Sequence, residues 1–132
     1  MSSPFNSKPT ILSVDDSSVT RAFIQRSLKD DYQLLLADNA MDALDIISHQ
    51  SISLLLLDVS MPDIDGLDLC RTVRNLPRYT RLPIVMLTAR DSVFDKAQGR
   101  MAGATDYLTK PFDAEQLNAI VDRVMVASQQ NS

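Results

Sequence analysis

The stretch Ser53-Leu-Leu-Leu-Leu57, followed at once by Asp58-Val-Ser-Met-Pro-Asp-Ile-Asp-Gly66, decides how this chain folds. Four consecutive leucines bounded by polar residues do not alternate between apolar and polar. That is the pattern of a strand covered on both faces, as in a parallel sheet. Leu34-Leu-Leu36 and Ile84-Val-Met-Leu87 repeat the pattern on either side. The predicted strands are Thr10–Val14, Leu34–Ala37, Ser53–Leu57, Ile84–Leu87 and Asp106–Leu108.

Between these runs the spacing turns helical. Ala40, Ala43, Leu44 and Ile47 fall at i, i+3, i+4, i+7, as do Leu117, Ile120, Val121 and Val124. Val19, Phe23, Ile24 and Leu28 form a similar stripe, Leu67, Cys70 and Val73 a narrower one, and Val93–Met101 a less amphipathic helix. Ser17-Ser18, Asp38-Asn39, Asp91-Ser92 and Asp113 stand where helix caps belong, the last with Gln116 as a capping box. Five strands alternating with five helices imply an α/β fold: a doubly wound, five-stranded parallel sheet, right-handed crossovers, helices on both faces. Residues 1–9 and 128–132 read as flexible tails around one folded unit, 10–127.

Composition narrows the function. A chain of 132 residues leaves room for one domain, and at 45% apolar residues it can bury roughly two-thirds of its unfolded surface without metal or disulfide. The single Cys70 excludes an intramolecular disulfide and a cysteine zinc cage, which fits a reducing, cytoplasmic setting. No apolar run approaches the ~18 residues of a membrane span, and the first residues lack the core of a secretory signal. Thirteen basic against seventeen acidic residues, net −4, argue against direct nucleic-acid binding.

In an open doubly wound sheet, ligands bind outside the carboxyl ends of the strands. Asp15-Asp16 follow the first predicted strand, Asp58 the third, Thr88-Ala89 the fourth and Lys110-Pro111 the fifth. Three carboxylates brought together repel one another, and a hard divalent cation among them relieves the repulsion. All-oxygen ligands without His or Cys favour Mg²⁺. Lys110 adds a compact positive charge and Thr88 a hydroxyl donor. A carboxylate, a metal, an ammonium and a hydroxyl are the parts that form and hold an aspartyl-phosphate.

Val14-Asp-Asp16, Leu57-Asp-Val-Ser-Met-Pro-Asp-Ile-Asp-Gly66, Leu87-Thr-Ala89 and Tyr107-Leu-Thr-Lys-Pro-Phe112 together resemble the receiver domain of two-component response regulators over roughly residues 9–127. The resemblance implies the flavodoxin-like strand order 2-1-3-4-5. It implies that Asp58 is the phosphoacceptor and that Asp16, Asp58 and the backbone carbonyl of Ser60 bind Mg²⁺, with Asp15 acting through water. It further implies that Thr88 moves to the phosphoryl group, that Lys110 is its counter-charge, that Lys110-Pro111 is cis, and that Tyr107 reports the switch. Ser60 and Arg90 stand where receivers tune dephosphorylation. The expected partners are a sensor histidine kinase or phosphotransfer protein, and a downstream protein or second copy docking on the face of the fourth helix, fifth strand and fifth helix. The segment Phe94–Gly103 also resembles receivers of twitching and type IV pilus signalling.

Other readings are weaker. Asp63-Ile-Asp-Gly66 suggests a calcium loop, but Met61 and Thr72 stand where that loop needs acids, so a turn shaped by Pro62 and Gly66 is expected. Arg71, Arg74, Arg78 and Arg81 are expected on a solvated helix face, and Cys70 in the core. His49 is far from every strand end. A haloacid-dehalogenase-type phosphatase needs Asp-x-Asp after the first strand, whereas here the acids are adjacent. A flavin carrier needs a Ser/Thr-rich phosphate loop and flanking aromatics. An interaction module independent of phosphorylation is the alternative reading, and the intact Asp58, Thr88 and Lys110 argue against it.

Overall fold

The computed structural model describes residues 8–61, 63–89 and 93–130, without the side chains of Phe94, Gln129 and Gln130. The elements run β1 (Thr10–Val14), α1 (Ser18–Leu28), β2 (Gln33–Ala37), α2 (Ala40–His49), β3 (Leu54–Asp58), α3 (Gly66–Arg74), a 3-10 turn (Pro77–Tyr79), β4 (Ile84–Thr88), α4 (Val93–Ala102), β5 (Asp106–Thr109) and α5 (Ala114–Gln130). The strands pair in parallel in the order β2-β1-β3-β4-β5. Three strands extend one residue beyond their predicted ends: β3 ends on Asp58, β4 on Thr88 and β5 on Thr109, so the Asp58 and Thr88 positions are held by the ladder itself.

The sheet divides the interior. Leu12, Val14, Leu55, Leu57, Ile84 and Met86 face a layer built from α2, α3 and α4. Ile11, Leu54, Leu56, Val85 and Leu87 face the opposite layer, where α1 and α5 contribute Ile24, Leu28, Leu117, Ile120, Val121 and Val124. The four leucines of β3 are wholly buried, two on each side. Burying each contributes about 2 kcal/mol. Cys70 is buried in the α3 stripe as expected.

Helix starts follow the sequence. Ser17 accepts from the Thr20 amide, Asn39 from the Asp42 amide, and Asp113 and Gln116 bond reciprocally. The cap expected at Asp91-Ser92 lies outside the described residues, as does the turn expected at Pro62.

Three expectations need correction. Leu34, Leu35 and Leu36 are only half-buried, because β2 is an edge strand with a helix layer that covers it incompletely. Val19 does not join the α1 stripe and is 79% exposed; Ile24 and Leu28 are the buried residues of that helix. The arginines do not share a solvated helix face, since α3 ends at Arg74. Arg74 is half-buried and donates to the carbonyls of Gly103, Tyr79 and Thr80. It ties the end of α3 to the turn before β5.

Candidate functional site

Asp15, Asp58 and Thr88 are buried polar residues at the carboxyl ends of the three central strands. Asp16, one residue further along, is exposed at the mouth. Asp15, Asp16 and Asp58 each bring a carboxylate oxygen within 4.8 Å of the others. Lys110 reaches in from the loop after β5. Its Nζ lies 2.8 Å from Asp15 Oδ2 and 3.5 Å from Asp58 Oδ1, and its backbone N–H donates to the Thr88 carbonyl at 2.8 Å. The Lys110-Pro111 peptide is cis. The structure thus brings together all five strand-end residues read from the sequence.

The backbone holds these groups in place. The Ser17 amide donates to Asp15 Oδ1 at 2.9 Å, turning the first acid inward as α1 begins. The Ser60 amide donates to Asp58 Oδ1 at 3.3 Å. Gly66 starts α3 so close to the end of β3 that a Cβ would sit 2.4 Å from the Asp58 carbonyl oxygen and 2.7 Å from Val59 Cα. Only glycine allows that approach. Its amide closes the loop by donating to the Val59 carbonyl.

The electrostatics follow from burial and crowding. Burial pushes the Asp58 carboxyl above its ordinary value and Asp15 adds to the effect, while Lys110 and the Ser60 N–H pull the other way without cancelling it. For Lys110, burial opposes the charge. The hydrogen bond to Asp15 and the fields of Asp15 and Asp58 outweigh it, so the ammonium titrates above its ordinary range. The site is a crowded carboxylate cluster with one ammonium inside it.

Tyr107 is half-buried against the α2–α4 layer, with its hydroxyl donating to the Asp95 carbonyl of α4 at 2.6 Å. Its ring lies over Gly99, where a Cβ would fall 1.8 Å from the phenolic oxygen. The aromatic expected to report the switch is therefore tethered to α4. Arg90 lies outside the described residues. Two residues around the site were not anticipated. Arg21 donates to the Asp15 carbonyl at 2.6 Å, a contact hinted at only by a cation near the start of a helix that follows an acid pair. Asp63 accepts from the amides of Ala40 and Met41 at the start of α2, and nothing local to its sequence signals that partner.

An acid cluster at the carboxyl ends of a 2-1-3-4-5 parallel sheet is the architecture of the phosphoacceptor domains of two-component signalling. Comparison with known proteins agrees. The response regulator receiver domain family matches residues 11–122. Response regulator MprA of Mycobacterium leprae is 44% identical over 110 residues, covering 83% of this chain and 47% of that protein. MprA of Mycobacterium bovis is 46% identical with the same coverage, so the chain spans about half the length of these relatives. Among solved structures, the chemotaxis response regulator CheY4 of Vibrio cholerae superposes with a TM-score of 0.86 at 33% identity, covering 89% of this chain and 99% of its own. A response regulator from Chloroflexus aurantiacus gives 0.86 at 36% identity, covering 91% and 99%. The chain belongs to the response regulator receiver domain family, and its function is that of a receiver in phosphorylation-based two-component signalling.

Proposed function

We propose that Asp58 accepts a phosphoryl group from a phosphohistidine of a sensor kinase or phosphotransfer protein, and that the modified domain changes its affinity for a partner. The observation that carries this reading is the convergence of Asp15, Asp16 and Asp58 within 4.8 Å, with Lys110 bonded among them. A carboxylate oxygen of Asp58 attacks phosphorus, the P–N bond breaks, and the imidazole leaves with the electron pair. Lys110 offsets the charge that arrives, and Thr88, at the end of the neighbouring strand, donates to a phosphoryl oxygen.

The donor set fits a hard cation, for the cluster is all carboxylate. Asp16, Asp58 and the Ser60 carbonyl would hold Mg²⁺ directly, and Asp15 through water. When bound, Mg²⁺ supplies positive charge that offsets carboxylate repulsion and the charge of the incoming phosphoryl group. Ser60, whose amide bonds Asp58, and Arg90, two residues beyond Thr88 in the sequence, set how long the phosphoryl group survives. The buried, lone Cys70 suits a reducing cytoplasm.

The donor's approach is apolar on one side. Val19, Phe23, Pro111 and Phe112 line an open cavity of about 470 Å³ that reaches Ala89 and Lys110, whose ammonium lies 3.5 Å from Asp58, and a phosphohistidine-bearing helix would pack there. Val93 and Met101 of α4 and Val126 of α5 are exposed, and Tyr107 of β5 is tethered to α4. The face of α4, β5 and α5 is the docking surface for a downstream protein or a second copy.

A small phosphodonor with Mg²⁺ tests the reading. The wild type should gain the mass of one phosphoryl group, and Asp58→Asn none, because an amide is no nucleophile here. Equal labelling of both proteins moves the acceptor elsewhere. A wild type that takes no label from any donor supports a module that acts without phosphorylation.

A further inference from the structure

Asp63 stands in the loop after β3, five residues beyond Asp58, and its carboxylate leaves that loop for another element. Oδ1 accepts from the Ala40 amide at 3.0 Å and Oδ2 from the Met41 amide at 3.1 Å, while Oδ1 also accepts from its own neighbour Ile64 at 2.8 Å. Ala40 and Met41 are the first two residues of α2. A helix start presents unsatisfied amides and partial positive charge, which favour an anion. Asn39 caps the third amide, that of Asp42, from within the helix. The loop fills the rest of that helix end with a carboxylate of its own. At its far end Gly66 closes back on the Val59 carbonyl, so the segment is pinned at both sides of Ser60.

We infer that Asp63 is a positioning residue of the phosphorylation site: by docking the loop after β3 onto the start of α2, it holds the Ser60 carbonyl where a divalent cation can use it. Asp63 touches neither the cation nor the phosphoryl group. The inference rests on the proposed Mg²⁺ site and adds to it an anchor outside the crevice.

The test compares wild type, Asp63→Ala and Asn39→Ala in the full chain. Mg²⁺ is titrated alone, read by backbone amide shifts, and phosphorylation rate is then followed against Mg²⁺ concentration with a small phosphodonor. Asp63→Ala should raise the half-saturating Mg²⁺ concentration about tenfold, the low end of the loss expected when an outer orienting group is removed. At saturating Mg²⁺ the rate should return to within about twofold of wild type, since Asp58, Thr88 and Lys110 are untouched. Asn39→Ala removes a cap from the same helix without freeing the loop. It should lower thermal stability as Asp63→Ala does and leave the Mg²⁺ midpoint unchanged. Equal Mg²⁺ midpoints in wild type and Asp63→Ala overturn the inference, and equal shifts in both variants reduce Asp63 to a helix cap. A wild type that shows no Mg²⁺ response overturns the metal site itself, a different failure.

Discussion

Asp58, the proposed nucleophile, is kept in a place that does not favour its charge. Burial and Asp15 raise its pKa in the folded chain, so the native state binds that proton more readily than the unfolded one. Ionising Asp58 therefore costs stability. The cost grows as pH rises from the ordinary carboxylate value through the folded value, and it is complete above that. In chelator, Asp58→Asn should melt above wild type at neutral pH by about 3–5 °C, the shift that roughly 1 kcal/mol gives at this size. The gap should close as pH falls toward 4, and melting curves across pH decide it; a gap independent of pH would mean that charge is not its origin. The acids, Thr88 and Lys110 were legible in the sequence because each lies within two residues of the end of a predicted strand, and chain direction places strand ends together. Asp63 and Arg74 were not legible. Their partners are backbone amides and carbonyls of remote segments, and backbone groups leave no mark in a sequence.

At the level of elements, the meeting of β5 with α4 depends on a missing side chain. Gly99 is an interior position of α4, where glycine costs up to about 1 kcal/mol relative to alanine. The Tyr107 hydroxyl occupies the space a Cβ would take and bonds the Asp95 carbonyl. Gly99→Ala should displace the phenol and break that bond, worth about 1 kcal/mol, while α4 gains a similar amount in helix propensity. Net stability should change little, yet the Tyr107 ring resonances should shift clearly by NMR. With the tether gone, a beryllofluoride mimic should strengthen association less than in wild type, because phosphorylation and docking are coupled only through a difference between states. An unshifted ring would remove Gly99 from the switch. Element positions were readable from periodicity, but exposure was not. Val19 fits an apolar stripe and points outward, and the leucines of β2 match those of β3 yet lie at an edge. Spacing reports which face a residue shares, whereas burial depends on what packs against that face.

For the whole molecule, alternation of strand and helix fixed the class of fold, while the strand order came from resemblance, since apolar runs do not say which strand neighbours which. The sheet's consequence reaches beyond architecture. Its two faces carry separate side-chain layers, one packed by α2, α3 and α4 and the other by α1 and α5. Ile47→Val, in the first layer, and Ile24→Val, in the second, should each cost about 1 kcal/mol. Because they share no packing neighbours, the double variant should lose their sum to within about 0.5 kcal/mol, as denaturant unfolding of the four proteins would show. A larger discrepancy would mean that the strands transmit strain from face to face. If the sum holds, the domain is free of epistasis across its middle. Lineages can then rewrite the α1 side, beside the proposed donor surface, without compensating changes among α2, α3 and α4.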